Sequence, residues 1–383
     1  MSITDEILDI LCNLIAIPST YPPGNTTAIS EYIANRLKLS GYETEIICKT
    51  PLVQNVVARM GKGRPSIVFN SHVDTIAITD KAAWKTSPFE GTLVDGRVYG
   101  LGAGNCKGSA AVQIWLAEEI ARNGGPKKGE ILFTFVGDEE NLGSNGLAYL
   151  RQLGLVKPDL LICGAQTQLQ TIFEERGVIW VEVLTNGISA HAGEPKMGDN
   201  AINRMVRIIN KLFAKLLPVI RERKRGKLQS TMNIGIIEGG VNTNAVPDHC
   251  RMEIDRRLLP EEKIDDALAE IKSIVAEAGE PTGSWEVSLK TGTQGFSSSS
   301  NSAFIRAFHE SIIDITGDVI REVVAIGASD ARYFVEDDIV LMTFGPGHAK
   351  DGHKANEFVP LEELEMAALI QKSVIKKILG FAN

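Results

Sequence analysis

The sequence predicts an α/β fold in which a mostly parallel central sheet is interrupted by a smaller α+β domain. Short apolar runs alternate with amphipathic stretches up to residue 177 and again beyond residue 293, which is typical of a parallel sheet covered by helices on both faces. Between these parts the pattern changes to alternating strands and long helices. The length of 383 residues also exceeds what one hydrophobic core usually serves. We therefore predict one domain made of residues 1–177 and 293–383, and residues 178–292 as an inserted second domain.

Hydrophobic periodicity predicts the elements of the first part. Residues 4–17 have the apolar spacing of a helix, and the paired prolines of STYPPGN end it. The segment TAISEYIANRLKLSGY predicts a second amphipathic helix that ends at Gly41. The runs SIVF and ILFTFV predict buried strands, and SAAVQIWLAEEIARNGG between them predicts a helix.

The inserted part has a different pattern. GVIWVEVLTNG predicts a strand and a turn, and AINRMVRIINKLFAKLLPVI predicts one long amphipathic helix. TMNIGIIEGG and CRMEIDRRLLP alternate as strands do, and EEKIDDALAEIKSIVAEAG predicts another helix. These elements form a small α+β module.

Composition and charge limit the possible partners. A net charge of -8 argues against nucleic acid and anionic membranes, and no apolar run approaches the roughly 20 residues that cross a bilayer. The odd number of cysteines, five, fits a reducing compartment. The N-terminus carries early acids and lacks the basic region of a signal peptide. We expect a cytoplasmic protein that binds a small molecule and neither nucleic acid nor membrane.

Side chains that can bind a metal follow the predicted strands, where open α/β sheets place their sites. His72 and Asp74 follow SIVF, and their spacing on an extended segment points them to the same side. The carboxylates of residues 138–140 follow ILFTFV, and they repel one another unless a cation or a proton relieves them. Taken singly, each group also fits a simpler explanation, a polar strand end or a solvated acidic turn.

Two more groups complete the candidate site. The glycine-rich loop YGLGAGNCKG (residues 99–108) has the form of a loop that presents an oxygen ligand, and its central residue is Asn105. His353 follows the GPG turn near the C-terminus. By itself, His353 also fits an ordinary surface histidine.

In their order and spacing these groups resemble the M20 metallopeptidase family, which includes aminoacylases, carboxypeptidases and succinyl-diaminopimelate desuccinylases. The resemblance covers nearly the whole chain. The motifs that carry it are WKTSPFEG, DGRVYG, GDEENLGSNG, HAGEPKMGDNAI, GGVNTNAVPD, DRRLLP, GASDAR and GPGHAKDGHKANEF. It implies a zinc-peptidase-like catalytic domain interrupted by a ferredoxin-like dimerisation domain, and hence a homodimer.

The resemblance implies a set of metal ligands. His72 would bind a first metal ion, with Asp74 orienting its ring. Glu140 and His353 would bind a second ion, and the residue at position 105 would bridge the two. A GEPT-like segment would supply a further carboxylate to the first ion.

The resemblance also implies catalytic and substrate-binding residues. Glu139 would be the general base. His191, in the inserted domain, would reach the active site of the partner subunit and stabilise developing negative charge. Asn244, Arg257 and Arg332 would contact the substrate, commonly through a carboxylate.

Two metal positions depart from the family pattern. Asn105 stands where an aspartate is expected, and the GEPT-like segment reads GAQT, with Ala165 in place of the glutamate. Two dications about 3.5 Å apart repel by roughly 19 kcal/mol at an effective dielectric of about 20, and Glu140 alone compensates poorly. We therefore predict one divalent metal per subunit, held by Glu140, His353 and the amide oxygen of Asn105. Its predicted identity is Mn²⁺, with Zn²⁺ as the alternative.

The predicted function is a metal-dependent hydrolase that cleaves a C–N bond with one metal-activated water and Glu139 as base. The substrate would be small and carry a carboxylate, as an N-acyl amino acid or a small peptide does. One alternative is an aminohydrolase of an amino-substituted aromatic acid such as 5-nitroanthranilate, with a mononuclear Mn²⁺ site. Another is a noncatalytic homologue that binds a carboxylate through Arg257 and Arg332. A third is that Asn105 or Ala165 is an introduced residue.

Overall fold

The computed structural model describes residues 2–78, 80–321, 323, 325 and 327–383. The chain forms two compact units, the first comprising Met1–Phe173 and Ser298–Asn383 and the second Glu174–Ser297. The second unit extends beyond the predicted residues 178 and 292 at both ends. It does so because Glu174 and Glu175 pair with Ser297 and Phe296 in a short antiparallel ladder. The assignment of the units to catalysis and dimerisation stays a prediction.

The helices and strands alternate along the first unit as the sequence predicts. The helices of the two units, in chain order, are α1 (Ile3–Ala16), α2 (Thr27–Leu39), α3 (Lys107–Arg122), α4 (Leu147–Gln152), α5 (Ala201–Lys211), α6 (Leu217–Glu222), α7 (Ile264–Ala276), α8 (Ala303–Thr316) and α9 (Leu361–Ile378). The strands are β1 (Thr20–Tyr21), β2 (Glu43–Thr50), β3 (Val53–Lys62), β4 (Ser66–His72), β5 (Thr75–Ile76), β6 (Thr92–Val94), β7 (Arg97–Tyr99), β8 (Gly129–Val136), β9 (Leu160–Gly164), β10 (Glu174–Glu175), β11 (Gly177–Asn186), β12 (Lys224–Arg225), β13 (Leu228–Gln229), β14 (Thr231–Gly239), β15 (His249–Leu258), β16 (Trp285–Thr293), β17 (Phe296–Ser297), β18 (Val340–Phe344) and β19 (Phe358–Pro360).

The first unit is built on a sheet with the strand order β18-β9-β4-β8-β3-β2. The pairs β18–β9, β9–β4 and β4–β8 are parallel, and β3 and β2 join antiparallel at one edge. This confirms the predicted, mostly parallel central sheet. Strand β4 is buried along its whole length, as expected for a central strand with both faces covered.

Helices α1, α3 and α9 pack against one another around Trp115, the largest fully buried side chain of the described residues. The indole Nε1 of Trp115 donates a hydrogen bond of 2.8 Å to Glu6, so its polar atom is satisfied inside an apolar cluster. The register of α3 is thereby fixed against α1. This matters for the site because the glycine-rich loop leads directly into α3.

The second unit has an antiparallel sheet with the order β14-β15-β11-β16. Its chain order, strand–helix–strand–strand–helix–strand, is that of the ferredoxin-like fold. The predicted single helix of residues 201–220 is divided into α5, a π-helical segment (Leu212–Leu216) and α6. The interruption precedes Pro218, which lacks the N–H needed to continue the helical hydrogen bonds.

The parallel strands bring their carboxyl ends together at one edge of the sheet. His72 is the last residue of β4 and pairs with Val136 at the end of β8. The end of β9 at Gly164 pairs with Phe344 at the end of β18. The loops that follow these strands therefore meet at one place. Among the residues that the structure describes, no helix is long and apolar enough to cross a membrane.

Candidate active site

The glycine-rich loop is held by the carboxylate of Glu357, a residue to which the sequence analysis assigned no role. Glu357 accepts hydrogen bonds from the backbone N–H groups of Gly102 (3.1 Å), Gly104 (3.0 Å) and Asn105 (2.7 Å). It is 1% exposed, and burial raises its pKa to about 7 although these donors favour the ionised form. Glu357 thus fixes the backbone from which the Asn105 side chain projects. The only signal in the sequence was its place in the GPGHAKDGHKANEF motif.

Asn105, Glu140 and His353 converge at the edge of the sheet. The amide Nδ2 of Asn105 lies 2.8 Å from Glu140 Oε1 and 2.8 Å from His353 Nε2. The latter two atoms lie 3.0 Å apart. The side chain of Glu140 is 5% exposed and that of His353 is 54% exposed, so the cluster has one buried side and one side open to solvent.

His72 and Asp74 form a second cluster beside the first. His72 Nδ1 lies 3.0 Å from the backbone oxygen of Asp74 and 3.5 Å from its Oδ1. The other oxygen of Asp74 accepts from the backbone N–H of Glu140 at 3.1 Å. Burial disfavours the imidazolium of His72, but the hydrogen bond to Asp74 and the charge of Glu139 outweigh it and raise its pKa. Asp74 therefore orients His72 and also ties it to the acidic turn.

Glu139 lies between His72 and Arg332. Its Oε2 is 3.9 Å from His72 Nε2, and its Oε1 accepts a hydrogen bond of 3.1 Å from Arg332 Nη1. Burial raises the pKa of Glu139 to about 7, against the opposing charges of His72 and Arg332. A carboxyl group with such a pKa can accept and return a proton near neutrality.

The ligand atoms of this region are of the kinds that hold a divalent cation. Glu140 and His353 offer a carboxylate oxygen and a ring nitrogen, and rotation of the Asn105 amide would turn its Oδ1 toward them. A second set, His72, Glu139 and Glu140, has ligand atoms within 4.8 Å of one another. The two sets share Glu140, and the second set also contains the carboxylate of Glu139.

Residues 165 and 166 do not replace the missing carboxylate. Ala165 has no ligand atom, and Gln166 packs against the backbone of Gly104 and Gly352. The Gln166 Nε2 is buried and has no hydrogen-bond partner among the described residues. These two residues therefore supply no carboxylate to a cation at this edge of the sheet.

The predicted site residues fall in two groups. The structure brings together those of the first unit, namely His72, Asp74, Asn105, Glu139, Glu140, Arg332 and His353. The others, His191, Asn244 and Arg257, belong to the second unit. His191 is exposed and adjoins Asn244, whose backbone oxygen accepts from the Ala192 N–H at 2.9 Å. Arg257 is paired with Asp255 at 2.9 and 3.0 Å.

Arg332 differs from the sequence-based expectation of a substrate contact. Its side chain is 2% exposed and is paired with Glu139 and Asp330. The Nη2 also donates to the hydroxyl of Tyr333 at 3.1 Å. In this arrangement the guanidinium is bound to groups of the protein itself, and its role as a substrate ligand stays an untested prediction.

A parallel sheet that carries paired carboxylates, histidines and a glycine-rich loop at its carboxyl edge is suited to hold a divalent cation and activate a water, which indicates a metal-dependent hydrolase. Comparison with known families agrees with this class. Residues 68–377 match the model of "Peptidase family M20/M25/M40". The chain therefore belongs to this family, as the sequence motifs indicate.

Relatives of established function are similar over most of their length. The succinyl-diaminopimelate desuccinylase of Caulobacter sp. (strain K31) is 28% identical over 333 residues, which cover 84% of this chain and 84% of that protein. The acetylornithine deacetylase of Myxococcus xanthus is 28% identical over 368 residues, 92% of each chain. The names of both describe the removal of an acyl group, succinyl in one and acetyl in the other.

Solved structures share the fold. An M20 family metallo-carboxypeptidase from Sulfolobus solfataricus has a TM-score of 0.82 at 18% identity, over 97% of this chain and 99% of that one. A dinuclear metal-binding M20 peptidase from Bacillus subtilis has a TM-score of 0.73 at 16% identity, over 99% of both chains. At these identities the comparison establishes the architecture alone.

Proposed function

We propose that this protein hydrolyses the amide bond of an N-acyl amino acid or small peptide with a single divalent cation. The observation that carries the proposal is the convergence of Asn105, Glu140 and His353 beside Glu139, at hydrogen-bond distances of 2.8 to 3.0 Å within the trio. The named relatives, a desuccinylase and a deacetylase, act on substrates of the same chemical type.

Each residue of the site has a distinct role in the proposed amide hydrolysis. When bound, a divalent cation lowers the pKa of a coordinated water and polarises the amide carbonyl. Glu139 takes the proton of the attacking water on Oε2 and returns it to the leaving amine, a task suited to its pKa of about 7. Asp74 holds His72 beside that oxygen, and a carboxylate oxygen of Glu139 lies within 4.8 Å of one of Glu140, so the base lies close to the proposed cation.

The proposed metal is Mn²⁺, with Zn²⁺ as the alternative. One imidazole, one carboxylate and one amide oxygen leave several positions for water, which suits an octahedral ion. A second ion would add to the charge that Glu140 must balance, and Ala165 contributes nothing to it. We therefore expect one ion per chain.

The proposal includes a homodimer in the cytoplasm. The exposed position of His191 supports a role for this residue in a second copy's active site, where an imidazole can stabilise the negative charge of the transition state. Within the described residues the structure contains no disulfide, which agrees with a reducing compartment. Asn244 and Arg257 are the proposed contacts for the substrate carboxylate.

A substrate panel tests the function. Protein stripped with chelator and reloaded with Mn²⁺ is incubated with N-acetyl and N-succinyl amino acids, dipeptides and tripeptides, and the release of free amine is measured. Amino-substituted aromatic acids are included, with ammonia as the readout. Amine release that is lost in Glu139→Gln supports the proposal. Ammonia release alone would indicate an aminohydrolase instead, and full activity of Glu139→Gln would refute the role of the base.

A further inference from the structure

A short helical turn, Asp330–Phe334, carries two charged side chains into the interior of the first unit. Asp330 and Arg332 form an ion pair of 3.3 Å, and their side chains are 4% and 2% exposed. Two charges are rarely buried unless each has well-placed partners. The further hydrogen bonds of Asp330 and Arg332 indicate the role of this ion pair.

Asp330 is anchored to the centre of the sheet. Its Oδ2 accepts a hydrogen bond of 3.1 Å from Asn70 Nδ2. The Oδ1 of Asn70 in turn accepts from Thr134 Oγ1 at 2.9 Å. Asn70 in β4 and Thr134 in β8 are paired neighbours in the sheet, so the position of Asp330 is set by the most rigid part of the unit.

Arg332 links Asp330 to Glu139, so the position of Asp330 determines where the guanidinium can hold the carboxylate of Glu139. While Nη2 faces Asp330 and Tyr333, Nη1 donates to Glu139 Oε1 at 3.1 Å. The hydroxyl of Tyr333 also donates to the backbone oxygen of Gly143, on the turn that follows Glu139. The remaining oxygen of Glu139, Oε2, is the one that points toward His72.

We propose that Arg332, braced by Asp330, is a positioning residue that fixes the carboxylate of Glu139 with Oε2 directed into the site. This inference rests on the proposed function, because it takes Glu139 to be the base. The rigid fork of a guanidinium is required here, because different nitrogens of one group serve Asp330 and Glu139. Arg332 therefore acts through Glu139 and not on the substrate.

The test compares Arg332→Met, Arg332→Lys and Asp330→Asn with the wild type on the best substrate of the panel above. Misplacement of a base by about 1 Å costs on the order of 100-fold in rate. We expect kcat to fall about 100-fold in Arg332→Met with KM changed less than about threefold, and Arg332→Lys to regain part of that loss. The metal content is measured in each variant and is expected to match the wild type.

Arg151→Lys is the matched control. Arg151 pairs with Asp337 at 2.7 and 3.3 Å and its guanidinium lies over the ring of Phe334, 5.2 Å from the centroid. It thus contacts the same turn from a position outside the site. Its variant is expected to keep the wild-type kcat and KM.

A crystal structure of metal-free Arg332→Met gives a readout independent of activity. In the wild type Glu139 Oε2 lies 3.9 Å from His72 Nε2, and we expect the variant carboxylate to move by more than about 1 Å. If Arg332→Met does not fold, the kinetics and the crystal structure are measured on Asp330→Asn, which keeps the shape of the side chain.

Two results would overturn the inference. One is an unchanged kcat with Glu139 still in place. The other is a KM raised tenfold or more with kcat unchanged, which would make Arg332 a substrate ligand. If the wild type cleaves nothing in the panel, the proposed function fails, while the crystal structures still decide whether Arg332 positions Glu139.

Discussion

Replacing Asn105 with aspartate tests the electrostatics of the site. In the wild type the amide nitrogen of Asn105 donates to Glu140 Oε1 at 2.8 Å. The substitution Asn105→Asp would instead put a carboxylate oxygen at that distance. Two unit charges about 2.8 Å apart repel by about 6 kcal/mol at an effective dielectric of about 20.

Without metal, protonation of His353 is the least costly way to reduce the repulsion between the carboxylates at positions 105 and 140. His353 Nε2 lies 2.8 Å from the Asn105 amide and 3.0 Å from Glu140, so an imidazolium would bridge both carboxylates. Protonating an unperturbed histidine costs about 2 kcal/mol at pH 8, and the hydrogen bond to Glu140, which raises the pKa of His353, reduces this cost. While His353 is protonated, its attraction to the new carboxylate offsets the repulsion between the two carboxylates. The metal-free variant should therefore become less stable than the wild type as His353 loses its proton, by up to about 6 kcal/mol. The proton costs more as the pH rises, so the deficit should grow between pH 6.5 and pH 9.

The assay is thermal unfolding of chelator-treated protein between pH 6.5 and pH 9, with and without Mn²⁺. For a unit of this size 1 kcal/mol corresponds to about 2–4 °C in Tm, so the Tm of Asn105→Asp should fall increasingly below that of the wild type as the pH rises. Added Mn²⁺ should raise its Tm more than that of the wild type. The control is Asn25→Asp, because exposed Asn25 accepts only from a backbone N–H, that of Thr27 at 3.0 Å. An Asn105→Asp variant whose metal-free Tm equals that of the wild type throughout the range from pH 6.5 to pH 9 would refute the described arrangement.

Three further predictions concern single side chains. Glu139→Gln should lose about 10²–10⁴-fold in kcat and keep its metal, as steady-state kinetics and metal analysis would check; normal turnover would argue against a base at this position. Glu357→Ala leaves three buried N–H groups without their acceptor and should lower stability by about 3 kcal/mol or more, measured by denaturant unfolding; a smaller loss would mean that water replaces the carboxylate. Exposed Cys48 should react with a thiol reagent in the native state, whereas Cys106, whose thiol pKa is raised by burial, should react only on unfolding; fast labelling of Cys106 would show that the loop opens.

The periodicity of the sequence was sufficient to predict the mostly parallel sheet and the inserted α+β unit, whereas the ferredoxin-like form of that unit was implied by the family resemblance. Segments such as SIVF and ILFTFV are apolar throughout because β4 and β8 are covered on both faces, and this is the pattern that indicates a parallel sheet. The long helix of residues 201–220 was not predicted correctly. Its apolar spacing is helical throughout, and the effect of Pro218 on the hydrogen bonds was not taken into account.

The site was predicted less completely, because its contacts join distant parts of the chain. His72, Glu139 and Glu140 follow neighbouring strands, so their proximity follows from the topology of the sheet. The pairing of Arg332 with Glu139 spans 193 residues, and periodicity contains no information on such a contact. The family resemblance suggested a substrate role for Arg332, whereas the structure shows an intramolecular ion pair. The role of Glu357 was not predicted, because a buried glutamate that accepts hydrogen bonds from backbone N–H groups leaves no pattern in the sequence.

Metal analysis of protein purified without chelator tests the central claim most directly, with His353→Ala and His72→Ala measured beside the wild type. Both histidines lie near Glu140, but only His353 lies within hydrogen-bond distance of Asn105. We predict about one Mn²⁺ or Zn²⁺ per wild-type chain, loss of that ion in His353→Ala and its retention in His72→Ala. Two ions per wild-type chain, or loss of the ion in His72→Ala alone, would contradict a single-cation site at Asn105, Glu140 and His353.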